Sequence, residues 1–459
     1  MTVYDYIVVG SGTGGGIISY NLSKAGAKVL LLEAGEYLTK KSFPKNEAIA
    51  SAQLYWGGGI EFSQDARMAF LRGKVVGGSS IVNQALMDRF DDLAFDDWKN
   101  ESGVDFFSLK AMEPYYDIAE SKLVLHTFSA EERNRNAQLF VKGCDSLDVH
   151  WHFLRRAQSN CAFEQGNDCI GCLGGCHRDA KQSIMVVYVR EAEKFGLEVQ
   201  AQVEVERIET GDIVQVFAEA RGEKRVYQAK NVILSGGAFG TTRMLYRSGF
   251  KSTLPALGKY FSSHPQFMFF GVYDEEVNAH KGMFQSVASK DPAFRARGFK
   301  LENVYAGPVS TAMLFNVSGR KHQEIMRKYR HMTCAEVAIR DENAGEIMVD
   351  KSGKLSVKKT MTSQDLRRMA DGTGTLKKIL EASGAKYVVE SPYYFGLHLM
   401  GGARMGVDAG TSVVGPDYRV HGQKNVFVCD SSLYPNAPGI NPGLTVMALS
   451  HKLSEELTK

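Results

Sequence analysis

The sequence predicts an α/β fold, α+β overall, in which two domains are built around different kinds of sheet. Three observations lead to this prediction. The chain has 459 residues, more than a single hydrophobic core usually supports. Residues 4–35 have the pattern of a parallel strand–helix–strand unit. Residues 267–272 and 334–339 have the alternation that is typical of antiparallel strands.

The strand–helix–strand unit contains a glycine-rich turn. The apolar run at 6–9 is followed by Gly10-Ser11-Gly12-Thr13-Gly14-Gly15, which matches G-x-G-x-x-G. A helix-compatible stretch follows and ends at Gly26, and a second apolar run at 28–32 ends in Glu33. In such units the first glycine permits a tight turn, the second admits a pyrophosphate, and the third lets the helix pack on the strand. The pattern predicts a Rossmann-like dinucleotide-binding domain.

The first candidate cofactor contacts belong to this unit, and they are Gly10, Gly12, Thr13, Gly15 and Glu33. The N-terminus of the helix would offer free N–H groups to the phosphates. Glu33 would accept hydrogen bonds from the ribose hydroxyls and disfavour a 2′-phosphate. These residues do not decide between NAD and FAD.

Composition excludes several kinds of partner. The 55 basic and 52 acidic residues leave a net charge of only +3, which gives no electrostatic case for nucleic acid. No window reaches the roughly 18 apolar residues of a membrane span. The first residues show neither a basic region nor an apolar core typical of a signal peptide. We therefore expect a cytoplasmic protein, although a partner subunit could carry it elsewhere.

Motifs further along the chain occur in a specific order, and together they resemble the glucose–methanol–choline (GMC) oxidoreductases. The resemblance spans nearly the whole chain. The matching pieces are the dinucleotide motif, Gly77-Gly78-Ser79-Ser80-x-x-Asn83, residues 204–208, Gly236-Gly237-Ala238 before Ser248-Gly249, His398-x-x-Gly401-Gly402-x-x-Met405-Gly406, and residues 430–448.

The resemblance implies an FAD cofactor. The loop that begins at Gly77 would lie against the pyrophosphate and the flavin, through Gly78, Ser79 and Asn83. The other implied contacts are the backbone of Val205 at the adenine, Asp430 at the ribityl chain, and the turn of Asn441 and Pro442 at the flavin ring. Family members with covalent FAD have a histidine just before the loop asparagine. Val82 occupies that position here, so we expect noncovalent FAD.

The resemblance also implies a catalytic pair. Oxidation of an alcohol removes a hydroxyl proton and a carbinol hydride, and the flavin takes the hydride. His398 matches the position of the base, and a histidine suits this task at neutral pH. Asn441 matches a second position that the family fills with His or Asn; an amide can hold the substrate oxygen but is no base.

A cysteine-rich stretch remains to be explained. Cys161, Cys169, Cys172 and Cys176 lie within sixteen residues, and the last three form C-x2-C-x3-C. Four thiolates could hold an iron–sulfur cluster or zinc. Some GMC sugar dehydrogenases have a cysteine-rich loop with such a cluster, whereas sterol and long-chain alcohol oxidases have a similar loop with none established. An iron–sulfur cluster, zinc and packed thiols all stay open.

The domains are expected to be discontinuous in sequence. We assign residues 1–90, 155–250 and 391–459 to the FAD-binding domain, and residues 91–154 and 251–390 to an antiparallel-sheet substrate domain, which residues 355–358 and 387–389 could extend. The predicted function is FAD-dependent oxidation of a CH–OH group in an alcohol or sugar-like substrate. A non-redox FAD-containing lyase and a flavin electron-transfer subunit are alternatives. A small or electron-accepting subunit is a possible partner, and the electron acceptor is open.

Overall fold

A computed structural model of the chain describes residues 2–161, 172–283, 285–289, 291–342 and 344–459. The strands in these ranges are β1 (Val3–Val9), β2 (Val29–Glu33), β3 (Glu61–Phe62), β4 (Met68–Phe70), β5 (Leu125–Thr127), β6 (His152–Phe153), β7 (Arg155–Ala157), β8 (Glu198–Ala201), β9 (Val203–Glu209), β10 (Val214–Ala220), β11 (Glu223–Leu234), β12 (Ser262–Val272), β13 (Val287–Ser289), β14 (Phe299–Asn303), β15 (Ala335–Ile339), β16 (Glu346–Val349), β17 (Leu355–Lys358), β18 (Tyr387–Glu390), β19 (Tyr394–Met400) and β20 (Val426–Val428). The α-helices there are α1 (Thr13–Lys24), α2 (Glu47–Leu54), α3 (Asp92–Ser102), α4 (Leu109–Ser121), α5 (Arg135–Ser146), α6 (Arg190–Glu193), α7 (Gly237–Arg247), α8 (Pro292–Arg297), α9 (Pro308–Met313), α10 (Gly319–Met326), α11 (Ser363–Ala382) and α12 (Gly443–Leu457).

The first sheet contains the predicted dinucleotide unit. Its strand order is β8-β2-β1-β11-β10-β9, and β20 also pairs with β11. Strands β8, β2, β1, β11 and β20 are parallel, whereas β10 runs antiparallel to both of its neighbours. All five residues of β2 are buried, as expected for an apolar run in a parallel strand that is covered on both faces. The two predicted strands and the helix between them are β1, α1 and β2.

Close packing of α1 on the strand ends depends on small residues. A Cβ atom at Gly15 would lie 1.9 Å from the carbonyl oxygen of Gly10, and one at Gly14 would lie 1.7 Å from that of Cys429. No side chain fits in either place. The glycines of the motif therefore bring the first turn of α1 directly against the ends of β1 and β20.

The second sheet carries the predicted antiparallel strands. Its order is β3-β4-β19-β12-β15-β14-β13-β6, with β18 also paired to β12. Every pair in it is antiparallel except β4 with β19. Helix α11 covers part of one face, where Leu376 and Ile379 pack into the cluster that holds Phe299 and Val337. The predicted strands at 267–272, 334–339 and 387–389 correspond to β12, β15 and β18.

One strand prediction needs correction. Residues 355–358 form β17, but β17 pairs only with β16 and does not extend the large sheet. A tight turn explains this pairing. Gly353 in the turn has a φ of +83°, which allows the chain to reverse direction directly after β16 and to pair β17 with it. Ile347 and Val357 of this hairpin bury their side chains in a small cluster with Phe239 and Phe261.

Sheet membership does not follow the predicted domain segments everywhere. Strands β3, β4 and β19 belong to the second sheet, although they lie in the segments 1–90 and 391–459 that were assigned to the first domain. The segment boundaries stay a prediction. Among the residues described, no helix is both long and apolar enough to cross a membrane.

Candidate active site

A cavity of about 1810 Å³ is lined by residues of both sheets. Most of the predicted site residues line it, namely Gly10, Gly12, Thr13, Glu33, Gly78, Ser79, Asn83, Val205, His398, Asp430, Asn441 and Pro442. Gly15 and Gly77 lie behind its wall, where Gly15 packs on Gly10 and the Gly77 backbone N–H donates to Ser11 Oγ at 2.9 Å. Residues far apart in the sequence are thus brought to one site.

Two glycine loops meet on the cofactor side of this cavity. A Cβ atom on Gly78 would lie 2.7 Å from the Cα atom of Gly12, and Gly78 has a φ of +55°. A Cβ atom on Gly12 would instead meet no atom of the described residues within 4 Å. Gly12 therefore presents bare backbone to open space, as a position that lies against a pyrophosphate requires.

Glu33 links the end of β2 to the first glycine loop. Its Oε2 atom accepts hydrogen bonds from the Ser11 backbone N–H at 3.0 Å and from Ser11 Oγ at 2.7 Å. Its Oε1 atom accepts from the Gly35 N–H at 2.8 Å. Burial raises the pKa of Glu33, and these hydrogen bonds oppose that shift. The carboxylate thus holds the glycine-rich turn in place from its buried side. Its oxygens can still accept a hydrogen bond from a ribose hydroxyl.

Asp430 has the corresponding place at the end of β20. Its Oδ2 atom accepts from the Gly237 N–H at 2.8 Å and from Thr241 Oγ1 at 2.6 Å, and its Oδ1 atom accepts from the Ser432 N–H at 2.8 Å. Burial raises the pKa of this carboxyl group. Asp430 therefore fixes the first turn of α7 against the C-terminal strand, at the wall of the cavity.

The cofactor side fits an adenine dinucleotide. No side chain caps the N-terminus of α1, so the N–H groups of its first turn remain for phosphate oxygens. The space beside Gly12 is open, and so is the space where a Cβ atom of Gly237 would lie. Val205 of β9 lines the same cavity beyond them. A pyrophosphate at the turn would place the two ends of a dinucleotide towards β9 and towards His398.

His398 lies on β19, on the substrate side of the cavity. Its φ of +58° is rare for a residue with a side chain and marks a strained position. Its Nδ1 atom is 2.9 Å from Nδ1 of His264, which is completely buried. Burial lowers the pKa of His398 to about 3, with a further decrease from the positive charge of Lys300, while Asp88 opposes the shift. At neutral pH the imidazole is therefore uncharged.

The hydrogen-bond directions assign the tautomers of this pair. The Gly439 N–H donates to Nε2 of His264 at 2.9 Å, so that nitrogen carries no proton. Burial also lowers the pKa of His264 well below its usual value, so the single proton of this neutral ring is on Nδ1. His264 then donates to Nδ1 of His398, and the proton of His398 lies on Nε2. His398 presents an N–H group to the cavity in this arrangement.

Asn441 is oriented by charged neighbours. Its Oδ1 atom accepts from Lys300 Nζ at 2.9 Å, and its Nδ2 atom donates to Asp88 Oδ2 at 3.0 Å. Glu302 Oε1 lies 2.7 Å from Lys300 Nζ and 3.5 Å from Asn441 Nδ2. The ammonium group and the carboxylates leave one possible orientation of the amide, because a reversed amide would place donor against donor.

Sequence reasoning missed five residues of this site, namely Asp88, His264, Lys300, Glu302 and Glu336. The alternation that predicted β15 contained a usable signal, because it places Glu336 on the face opposite Val337 and Ile339. Lys300 and Glu302 alternate in the same way within β14. A charged residue inside an apolar strand needs a buried partner or a ligand. For His264 we find no such signal.

Three of the four clustered cysteines also line the cavity, namely Cys161, Cys172 and Cys176, whereas Cys169 lies outside the described residues. Within the described residues, none of the three forms a disulfide with another cysteine. Across the described ranges, no group of three or more His, Cys, Asp or Glu residues is placed to hold a metal ion. The loop is anchored by the buried ammonium group of Lys181, which donates to the carbonyl oxygens of Ile81, Asn83 and Cys172.

Two family models match this chain. The GMC oxidoreductase N-terminal model matches residues 51–266, and the C-terminal model matches residues 343–450. The chain is a GMC oxidoreductase. Membership confirms the predicted family, the α/β fold with its second sheet, FAD as the cofactor, and an enzyme that oxidises a CH–OH group.

Curated relatives of this GMC oxidoreductase align along almost the whole chain. A long-chain-alcohol oxidase of Arabidopsis thaliana is 26% identical over 99% of this chain and 67% of its own length. The chain therefore spans about two thirds of that relative. An uncharacterised GMC-type oxidoreductase of Sinorhizobium fredii is 25% identical over 98% of this chain and 94% of its own length. A cholesterol oxidase of Acinetobacter baumannii is 23% identical over 98% and 93%.

Solved structures of similar fold agree with this membership. Pyridoxine 4-oxidase from Mesorbium loti superimposes with a TM-score of 0.79 at 16% identity, covering 99% of both chains. A fungal aryl-alcohol oxidase superimposes with a TM-score of 0.71 at 15% identity, covering 100% of this chain and 99% of its own. At these identities the likeness concerns the fold.

Proposed function

We propose that this GMC oxidoreductase oxidises an alcohol at the His398–Asn441 end of its cavity. One observation carries the proposal. His398 and Asn441 line the same cavity as Gly12, Gly78 and Asp430, so a dinucleotide at the glycine loops would extend to the pair that faces the substrate. The relatives and solved structures named above include oxidases but no lyase and no electron-transfer subunit, which favours oxidation over these two alternatives.

The first and second glycine loops would hold FAD without a covalent bond. Val82 lines the cavity at the position where covalent family members have histidine, and its side chain has no nucleophilic atom. The N–H groups at the start of α1 would bind the pyrophosphate, and Glu33 the ribose. When bound, FAD supplies a hydride acceptor.

His398 is proposed to receive the hydroxyl proton at Nε2. For this step Nε2 must be unprotonated, so the proton of the ring must lie on Nδ1 and point to Nδ1 of His264. The resting pair has the opposite tautomer, which the Gly439 N–H stabilises. Proton abstraction therefore requires the loop at Gly439 to release Nε2 of His264. Before the tautomers of His264 and His398 change, the Nε2–H group of His398 can donate a hydrogen bond to the substrate oxygen.

Asn441 is proposed to position the same oxygen. Lys300 and Asp88 fix its amide, and the second Nδ2 hydrogen, which makes only a long hydrogen bond of 3.5 Å to Glu302 Oε1, is the one that a substrate oxygen would take. The ammonium group of Lys300 lies one hydrogen bond away and favours negative charge that develops on the oxygen. Residues that only orient a reactant can contribute several orders of magnitude in rate.

The names of the relatives support an alcohol as the substrate class. They are oxidases of long-chain alcohols, cholesterol, pyridoxine and aryl alcohols. Anaerobic mixing of the FAD-loaded enzyme with a panel of alcohols and sugars tests the proposal, and we expect at least one of them to bleach the flavin. A flavin that stays oxidised with every member of the panel contradicts it.

Two variants of His398 separate its proposed roles. As a lost general base, His398→Ala should slow flavin reduction by roughly 10²–10⁴-fold. His398→Gln keeps an N–H donor without a base, and we expect it to be about as slow as His398→Ala. If His398→Gln reduced the flavin at a rate within about tenfold of the wild type, His398 would serve only to hold the substrate oxygen.

We propose that the clustered cysteines are packed thiols and not metal ligands. The Arg156 guanidinium donates to Cys172 Sγ at 3.8 Å, and the Lys181 backbone N–H donates to Cys176 Sγ at 3.5 Å. Iron, acid-labile sulfide and zinc analysis of anaerobically purified protein tests this. Stoichiometric iron and sulfide would restore the iron–sulfur interpretation, and stoichiometric zinc would restore the zinc interpretation.

A further inference from the structure

The face of the second sheet that lines the cavity changes in polarity with distance from Asn441. Three central strands, β12, β15 and β14, are aligned in register, so their residues form rows across the face. The first row is Gln266, Ala338 and Lys300, and the second row is Met268, Glu336 and Glu302. The third row continues the same register just beyond the ends of β15 and β14, and it is Phe270, Cys334 and Val304.

Four of the six residues in the first two rows are polar or charged, and two of these, Lys300 and Glu302, contact Asn441. Lys300 Nζ is 2.9 Å from Asn441 Oδ1, and Glu302 Oε1 is 3.5 Å from Asn441 Nδ2. Gln285 Nε2 adds a hydrogen bond to Glu302 Oε2 at 3.1 Å. The third row is apolar. The wall of the cavity is thus hydrophilic where the carbinol carbon would react and hydrophobic further away.

Two groups on this wall have hydrogen-bonding capacity that the protein does not use. Gln266 is 2% exposed, lines the cavity, and its Oε1 atom makes no hydrogen bond to any described residue. Glu336 is 3% exposed, and Glu302, opposite it on the neighbouring strand, is its hydrogen-bonding partner. Burial and the adjacent charge of Glu302 raise the pKa of Glu336 to about 8, so this carboxyl is protonated at neutral pH, donates its single O–H to Glu302 and keeps acceptor capacity.

We infer that the substrate is an alcohol with a second hydrogen-bond donor on a carbon close to the carbinol, and with an apolar remainder. The second donor would bind Gln266 Oε1 and Glu336, and the apolar part would lie over Phe270, Cys334 and Val304. This inference rests on the proposed function, because it assumes that the oxidised carbon lies at His398 and Asn441.

A simple alkanol fits this wall less well. Its α and β methylene groups would cover Gln266 Oε1 and the carboxyl pair and would remove water from them without a replacement hydrogen bond. Buried polar groups without partners are costly, so sites built to bind a hydroxyl group discriminate strongly against analogues that lack it. The apolar third row explains how the same cavity accommodates a hydrocarbon tail.

Three alcohols of equal chain length test the inference: 1-octanol, 1,2-octanediol and 2-amino-1-octanol. Anaerobic flavin reduction by each gives kcat/KM for the reductive half-reaction. We expect the diol or the amino alcohol to exceed 1-octanol by at least about tenfold, or about 1.4 kcal/mol. Comparison of the diol with the amino alcohol shows whether the second donor of the preferred substrate is a hydroxyl or an ammonium group.

A variant connects that preference to this wall. Gln266→Leu has a similar volume without polar atoms, and it should reduce the ratio of the diol or amino alcohol to 1-octanol towards one. Phe270→Leu in the apolar row is the matched control, and it should change all three substrates alike. Equal kcat/KM values for the three alcohols in the wild type would overturn the inference but leave the proposed function standing. A preference that Gln266→Leu leaves unchanged would also overturn it. No flavin reduction by any alcohol or sugar would instead reject the proposed function.

Discussion

The Nδ1 atoms of His264 and His398 lie 2.9 Å apart, and the other ring nitrogen of His264, Nε2, accepts a hydrogen bond from the Gly439 N–H at 2.9 Å. His264 therefore determines which nitrogen of His398 carries the proton. It also restricts the rotation of a residue whose backbone is strained. His264 is a positioning residue in this interpretation, since it acts on the substrate through His398.

The first prediction concerns this pair. His264→Leu removes the partner of His398 Nδ1, and we expect flavin reduction to slow by about 10²-fold, a size that misplacement of a reacting group can cause. His264→Asn keeps an amide that can donate or accept near the same place, so it should recover most of the rate. Stopped-flow reduction of the two variants measures this. Equal rates in the two variants would mean that His264 contributes packing alone.

The second prediction is the pH dependence of flavin reduction. Burial, aided by Lys300, lowers the pKa of His398 to about 3, so the ring stays neutral well below its ordinary value of 6.5. The rate should therefore show no decrease with an apparent pKa near 6.5 as the pH is lowered. A single-turnover pH profile measures it. If the rate of flavin reduction fell to half near pH 6.5, His398 would become charged in the working enzyme at that pH, contrary to this prediction.

The third prediction is the pH dependence of stability. The pKa values of His264 and His398 are lowered in the folded protein, so the unfolded chain binds more protons below about pH 6.5. The stabilising contribution is present above that pH and is lost as the pH falls, by about 1.4 kcal/mol per pH unit for each ring. Urea denaturation of the wild type and of His264→Leu between about pH 5 and 7 measures it. The free energy of unfolding of His264→Leu should fall less steeply with decreasing pH than that of the wild type. Equal slopes in the two proteins would contradict this prediction.

The fourth prediction separates cofactor binding from folding. Gly12→Ala places a methyl group in the open space of the cavity, and Gly12 has a φ of −64°, which alanine also adopts. We expect an unchanged melting temperature without FAD and an affinity for FAD at least about tenfold lower, because the methyl group would occupy the place of the pyrophosphate. Gly374→Ala, in α11 with nothing within 4 Å, is the control and should bind FAD normally. Normal FAD affinity in Gly12→Ala would place the pyrophosphate elsewhere.

The fifth prediction concerns a buried ion pair next to His264. Lys359 Nζ lies 2.6 Å from Asp341 Oδ1, both side chains are fully buried, and Asp341 Oδ2 accepts from the Ser263 N–H at 2.8 Å. Lys359→Met should destabilise the protein by about 3–5 kcal/mol, because it leaves a buried carboxyl without its partner. The double variant with Asp341→Leu should recover part of that loss. Urea denaturation measures both. A single variant as stable as the wild type would show that the pair contributes little.

Much of the cofactor side could be predicted from sequence, because its requirements are local. A glycine turn, an apolar strand and a terminal acid lie within one short segment, and each has one main physical purpose. Gly12 and Glu33 both line the cavity, and their contacts with the cofactor stay a prediction. Glu33 also bonds to Ser11, which sequence reasoning did not anticipate. That bond depends on the return of the chain after β2, a property of the folded turn.

The substrate side was less predictable for the opposite reason. His264, Lys300 and Glu302 reach His398 or Asn441 through contacts that span more than one hundred positions. Alternation within a strand shows which residues share a face, but the register between strands determines which of them meet. The pairing of β16 with β17 shows the same limit, since the apolar pattern of residues 355–358 predicted a strand but not its partner.

The closure of the dinucleotide site by β20 sets an order of events during synthesis. The carbonyl group of Cys429 packs on Gly14, and Asp430 holds the start of α7, so the glycine motif and α7 both wait for the end of β20. A ribosome that adds about 5–20 residues per second needs tens of seconds to travel from the glycine motif to β20. During that interval the nascent chain has the glycine motif without its closing strand. Cofactor capture is therefore expected only after β20 has been synthesised.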